Sequence, residues 1–311
     1  MSDELEVEYK ALTSGAGYVV LEEQSFVCLT GQDRQKFFHN FCTNEIKQLE
    51  PGQGCEAFVL NPKGKILGFV YVIATPEELL LTGHGNQASR IIGHLDSYLI
   101  REDVEMTDVS KELNSIFVCG EQASRLLGSN VEMVPEKNGS NEIVVSGVCA
   151  RIVNLELAGF GYMIICAKSD LERLKTSFEE FGITECSLEA LHVVRVEQQT
   201  PWYGIDVDDS NLPQELQRDE KAINFNKGCY LGQETVARID ARGKVNQLLV
   251  GLKFQHQTPA RGDVLSHEGK SVGRVTSIVH SYRENGPLGL GYVRREFQKP
   301  GATIDNVNVI R

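Results

Sequence analysis

Lys227-Gly228-Cys229-Tyr230-Leu231-Gly232-Gln233-Glu234-Thr235-Val236-Ala237-Arg238 sets one cysteine between a lysine, two glycines and a run of polar side chains. A thiol attacks electrophiles or binds metal as thiolate, a form favoured by a nearby cation and by solvent access. Lys227 stands two residues from the sulfur, so Cys229 and Lys227 form the candidate reactive pair. Gly228 and Gly232 allow a tight turn or a close approach to a ligand. Arg238, Arg242 and Lys244 follow, and with Lys227 they make either a local basic patch or a solvated strand or loop face.

Further blocks lie upstream in a fixed order. Thr30-Gly31-Gln32-Asp33-Arg34 runs through Phe37-Phe38-His39 to Thr43-Asn44, and Asn61-Pro62-Lys63-Gly64-Lys65-Ile66-Leu67 follows it. Arg195-Val196-Glu197 precedes Pro201, Tyr203-Gly204 and Asp206, and then Asn211-Leu212-Pro213-Gln214-Glu215. With the cysteine motif these blocks resemble the YgfZ family, folate-binding proteins related to the glycine cleavage aminomethyltransferase (GcvT-like). The resemblance implies an α+β fold, a two-lobed folate-binding body followed by a small C-terminal β-barrel.

It also implies tetrahydrofolate as cofactor. Glu197 aligns with the glutamate that meets the pterin edge in relatives, where a carboxylate can accept two adjacent N–H bonds. Arg195 lies beside it at a helix end, where side chains can project into a cleft. Trp202 and Tyr203 either wall the ring or pack in the core. Lys63 and Lys65 either meet the folate glutamate tail or sit on a solvated hairpin tip. The aminomethyltransferases carry an aspartate pair just after the Lys-Gly turn, where this chain has Gly68-Phe69. Neither residue can relay a proton, which argues against glycine cleavage activity.

The function implied is assistance in assembly or repair of iron-sulfur clusters in client enzymes, including radical enzymes that modify tRNA, with client or carrier proteins as partners. Cys229 would be a transient iron ligand, a mixed-disulfide partner or a one-carbon acceptor. One thiol does not hold a permanent cluster, since four ligands are normally needed. The alternatives are a folate-dependent one-carbon transferase or demethylase, and a tRNA-binding module. The net charge of -12 and pI near 5.2 weigh against tRNA contact through phosphate neutralisation.

A chain of 311 residues, 41% hydrophobic and 24% charged, fits about two soluble globular domains. The expected division is 1–245 for the body and 246–311 for the barrel. Met1 to Lys10 is acidic and lacks an apolar core, unlike a signal or transit sequence. With no membrane-length apolar run, the expectation is a cytoplasmic protein or a matured organelle form. The eight cysteines contain no C-x-x-C pair, and all except Cys229 read as small core residues. His39 and His192, without metal spacing, read as packed or surface imidazoles.

Along the chain, a helix is expected over 33–41 with Thr30 as a candidate cap, a hairpin over 56–60 and 66–74, and a helix over 87–100. Strands follow at 115–119, 142–153 and 162–167. A helix with a Ser169/Glu172 capping box ends at Gly182, and the next starts near Ser187. Gln87-Ala-Ser-Arg90 recurs as Gln122-Ala-Ser-Arg125, a short echo that gives slight support to two lobes. After Lys244 only short strands and turns remain, at 248–254, 264–267, 271–278 and 289–293, as a small barrel requires.

Overall fold

The computed structural model describes residues 3–132, 134–243, 245–255 and 258–310, so Lys244 of the basic patch lies outside the described residues. Helix α1 (Asp3–Thr13) leads to strands β1 (Gly17–Val20) and β2 (Gln24–Thr30) and a short helix α2 (Arg34–His39). Next come β3 (Gly54–Leu60), β4 (Ile66–Ala74), β5 (Leu79–His84), α3 (Ala88–Asp96), β6 (Glu105–Asp108) and β7 (Leu113–Cys119). Then α4 (Ala123–Asn130), β8 (Ser140–Val145), β9 (Val148–Glu156), β10 (Phe160–Ala167), α5 (Leu171–Glu180), β11 (Thr184–Glu185) and α6 (Leu188–Glu197) complete two sheets.

The first sheet runs β3-β4-β5-β2-β6 and the second β11-β1-β7-β10-β9-β8. Consecutive strands β1 and β2 enter different sheets, as do β6 and β7, so the chain crosses between the lobes twice. Their facing sides share one core: Tyr71, Ile73 and Leu80 from the first sheet meet Phe117, Val153 and Met163 from the second. Phe37, Phe38 and Ile91 cover the outer face of the first, and Leu127, Leu174 and Phe178 that of the second. The two Gln-Ala-Ser-Arg segments both start helices, α3 and α4, with Gln87 and Gln122 at the N-cap position.

The 56–60/66–74 hairpin forms as expected. Other elements differ locally. Asp33, not Thr30, takes the N-cap position of α2, which ends at His39. The Ser169/Glu172 box gives way to a 3-10 turn over Lys168–Asp170. The 142–153 run is a hairpin, because Ser146 and Gly147 adopt positive φ of 49 and 78 and reverse the chain.

After α7 (Asp219–Ala222) and α8 (Gln233–Arg242), strands β12 (Gln247–Phe254), β13 (Val264–His267), β14 (Lys270–Ser281), β15 (Gly286–Arg294), β16 (Thr303–Ile304) and β17 (Val307–Val309) form a nearly closed antiparallel barrel, in the order β13-β14-β15-β12-β17-β16. Val250, Leu252, Val275 and Val293 fill it.

One buried ion pair joins body to barrel. Arg195, on α6 and 1% exposed, donates through Nη1 to Asp206 Oδ2 at 2.8 Å and to Thr200 O at 3.2 Å, and through Nη2 to Ser277 Oγ at 2.8 Å. Its Nε donates to His192 Nδ1 at 2.8 Å, and the guanidinium lies 4.9 Å from the Trp202 ring centroid. Asp206 Oδ1 accepts from Thr276 and Ser277 hydroxyls at 2.6 Å, and Oδ2 from Trp202 N at 3.1 Å. The Tyr292 hydroxyl donates to Asp206 O at 2.9 Å. Arg195 is thus committed to protein partners. Asp206→Ala leaves that guanidinium buried without its counter-ion, so urea unfolding should show a loss of about 3–5 kcal/mol. Unchanged stability would refute the role assigned to the pair.

Candidate functional site

A narrow cleft of about 50 Å³ opens between the sheets, walled by Phe69, Trp202, Tyr203, Met163 and Leu155. Trp202 is held by a bond from its Nε1 to Leu157 O at 3.2 Å, and the Tyr203 hydroxyl accepts from Arg90 at 2.7 Å. Phe69 packs on Phe58 with ring centroids 4.8 Å apart. Phe69 is therefore an aromatic part of the cleft wall.

Three residues that line this cleft each carry a buried polar atom without a hydrogen-bond partner in the protein: Tyr71 Oη, Thr82 Oγ1 and Gln24 Oε1. Tyr71 on β4 and Thr82 on β5 are direct cross-strand partners, which puts their side chains on one face. Burial pushes the Tyr71 phenol well above its ordinary range, so it remains an O–H donor. Buried polar groups are nearly always paired, and three orphans lining one cleft suit a ligand with donors and acceptors along a flat apolar body.

Charge gathers at the same cleft. Arg218 forks onto the Glu56 carboxylate, with Nε at 2.9 Å from Oε2. Glu156 accepts from Lys221 and from Lys137, the latter at 3.1 Å. Partial burial pushes the Glu156 carboxyl up, but these lysines outweigh it and hold the group below its usual range. His84 and His192 flank Trp202, at 4.2 and 4.8 Å between ring centroids. Burial first, and the Arg195 charge second, bring both imidazoles down to about 4.

Glu197 stands elsewhere. Its Oε2 accepts from the Tyr9 hydroxyl at 2.8 Å, and Oε1 from Ser281 Oγ and from Arg283 N at 3.2 Å. These partners, on α1 and on the barrel, occupy three of about four acceptor positions of a carboxylate. Lys65 Nζ donates to Ser210 O and Lys63 is exposed, and neither lines the cleft. Of the predicted cofactor residues, only Trp202 and Tyr203 reach it.

The cysteine motif forms a surface loop. Gly232, with φ of 81, starts α8 and lets the backbone meet the Asn61–Lys65 turn, since a Cβ there would come within 2.8 Å of Asn61 O. Cys229 is exposed. Lys227, in contrast, is buried and donates to His39 O, Cys42 O and Asn44 O at 2.7, 2.8 and 2.6 Å. Its ammonium is directed into carbonyls rather than toward Cys229. Cys149 is also exposed, at an outward-facing position of β9, while Cys28 and Cys55 are half-buried, so the core expectation holds for Cys42, Cys119, Cys166 and Cys186. Among the described residues no group of three or more His, Cys, Asp or Glu side chains could hold a metal ion, and no helix is long and apolar enough to cross a membrane.

Two family profiles match the chain: the GCVT N-terminal domain over residues 1–227 and the glycine cleavage T-protein C-terminal barrel domain over residues 248–307. The chain belongs to the glycine cleavage T-protein family and has its two-domain fold, an α+β body with a C-terminal barrel. It is similar to a chloroplastic candidate transferase of Arabidopsis thaliana, at 26% identity over 93% of this chain and 68% of that protein. It is also similar to an aminomethyltransferase of Rippkaea orientalis, at 25% identity over 97% and 84% of the two chains. The crystal structure of the glycine cleavage system aminomethyltransferase T from Bartonella henselae superposes with a TM-score of 0.85, at 17% identity, covering 99% of this chain and 88% of that one.

Two outcomes follow from this geometry. Tyr71→Phe removes a buried hydroxyl that has no protein partner, so the free protein should keep or gain stability, while tetrahydrofolate affinity falls by about 0.5–1.5 kcal/mol, the net value of a hydrogen bond. Calorimetry showing equal affinity would remove Tyr71 from the binding surface. His84 and His192 titrate near 4 when folded and near 6.5 when unfolded, so the unfolded chain binds more protons between these values. Their contribution is complete above pH 6.5 and is lost as pH falls toward 4. Urea titrations over that window should show His84→Gln flattening the slope by about one proton.

Proposed function

We propose that this chain is a tetrahydrofolate-binding protein of the YgfZ branch that assists assembly or repair of iron-sulfur clusters in client proteins, tRNA-modifying radical enzymes among them. The observation that carries the folate reading is the trio Tyr71, Thr82 and Gln24, unpaired on the wall of an aromatic cleft. Family membership supports the same ligand, since glycine cleavage T-proteins bind tetrahydrofolate. Tetrahydrofolate would supply a one-carbon carrier. Trp202 and Tyr203 would hold its flat ring, and the Tyr71 phenol would donate to it. Arg218 and Lys221 would offer cations to its glutamate tail in exchange for Glu56 and Glu156.

Phe69 and Gly68 supply no acid where the transferases keep one, which favours binding without glycine cleavage. Cys229, exposed on a loop away from the cleft wall, suits contact with another protein. One thiol without neighbouring ligands does not make a resident cluster, so the cluster is treated as the client's cargo. The rival reading, a one-carbon transferase, is favoured by the names of the relatives, which are transferases matched along most of their length. The acidic balance of the chain disfavours direct tRNA binding.

In a reconstituted glycine cleavage system, the chain should form no detectable methylene-tetrahydrofolate in place of the aminomethyltransferase. Cys229→Ser should keep folate affinity yet fail to restore client iron-sulfur enzyme activity in cells lacking the protein. Robust turnover in the first assay would establish the transferase reading, and full complementation in the second would reduce Cys229 to a surface atom.

A further inference from the structure

The loop that carries Cys229 is fastened to residues 39–44 at three points. Asn224 N donates to Thr43 O at 2.9 Å, and Leu231 N donates to Asn40 O at 2.9 Å. Midway between them, Lys227 turns inward and gives its ammonium to the carbonyls of His39, Cys42 and Asn44, all within 2.8 Å. An ammonium has three N–H donors, and three converging carbonyls satisfy it fully. The aliphatic stem is buried and the charge lies 5.0 Å from the Tyr230 ring centroid.

The carbonyl-bearing segment is itself held from both sides. Thr43 Oγ1 donates to Ala222 O at 2.5 Å and accepts from Phe58 N at 2.9 Å. Asn44 Nδ2 donates to Glu56 O and Lys221 O at 2.8 and 2.9 Å. Fixed points therefore stand at 224, 227 and 231, while Gly228 and Cys229 project between the last two. A Cβ built on Gly228 would meet nothing within 4 Å, and Cys229 is exposed.

We propose that Lys227 is a positioning residue: its ammonium acts as a tethered cation that fills a carbonyl cage and forces the loop to present Cys229 outward, to a macromolecular partner rather than to the ligand in the cleft. This rests on the reading of Cys229 as the working thiol, but the mechanical claim is separable from it. The cage also sets a specificity of its own. Arginine spreads its donors in a flat fork and cannot aim three N–H groups at one point, so it is a poor substitute.

The test uses the full chain and three measurements. In the wild type, hydrogen exchange should find the Asn224 and Leu231 amides slow. In Lys227→Met, which keeps the length of the stem, protection of both amides should fall at least about tenfold, while the pH profile of Cys229 alkylation by iodoacetamide keeps its wild-type midpoint. Lys227→Arg should behave like the methionine variant. If the variants do not fold, fast wild-type exchange at Asn224 and Leu231 would still overturn the proposal. It would also be overturned if Lys227→Met moved the alkylation midpoint and left protection intact, because the lysine would then act on the thiolate electrostatically. Complementation by Cys229→Ser bears only on the role of the thiol, so the two ideas fail separately.

Discussion

The Arg195–Asp206 pair is the contact on which the arrangement of this molecule depends. Taking both charges out of water carries a desolvation penalty of several kcal/mol per ion, and only a dense set of hydrogen bonds offsets it. Here the set is drawn from α6, the 200–207 segment and the barrel strands β14 and β15 at once. The pair is therefore a poor source of net stability and a strong source of specificity, since a misplaced barrel would strand a buried guanidinium. Trp202 belongs to the same network, through its backbone N–H and the stacked guanidinium. The ring that walls the cleft is set by the contact that seats the barrel.

A second network explains why separated sequence blocks occur together. The Thr43-Asn44 segment, the Asn61–Lys65 turn and the cysteine motif meet in space: Lys227 binds the first, and Gly232 and Thr235 abut the second. Each block lacks partners without the others. The carbonyls of residues 39–44 would face an unfilled cage, and the lysine would be a buried charge without acceptors. Physical interdependence of this kind keeps residues nearly two hundred positions apart under one constraint.

The cleft shows the opposite economy, with polar atoms left unpaired. A buried hydroxyl or amide oxygen left without a partner costs about 1–3 kcal/mol, and Tyr71, Thr82 and Gln24 each carry one that no protein group pairs. Binding sites characteristically hold such groups, because the ligand completes them. Phe69 contributes apolar surface to the same cleft.

The sequence by itself determined the two-part architecture, the hairpin over 56–74, the strand-rich barrel and the helix ending at Glu197, because these follow from local periodicity and turn residues. The polar and glycine neighbours of Cys229 favour the exposure it has, and Trp202 and Tyr203, for which the sequence left a ring wall or core packing open, line the cleft. Helix α1 was not legible, since its acidic residues mask a face whose Tyr9 and Leu12 are recognisable as inward only once α6 and the second sheet lie beneath them. Nor could spacing show that Glu197 and Arg195 turn to the barrel, that Lys227 turns from its neighbouring cysteine, or that Tyr71 and Thr82 share a wall. Strand register decided the last, and long-range hydrogen bonding decided the others. A charged side chain goes where its desolvation is best compensated, and those partners are assembled only by the tertiary fold.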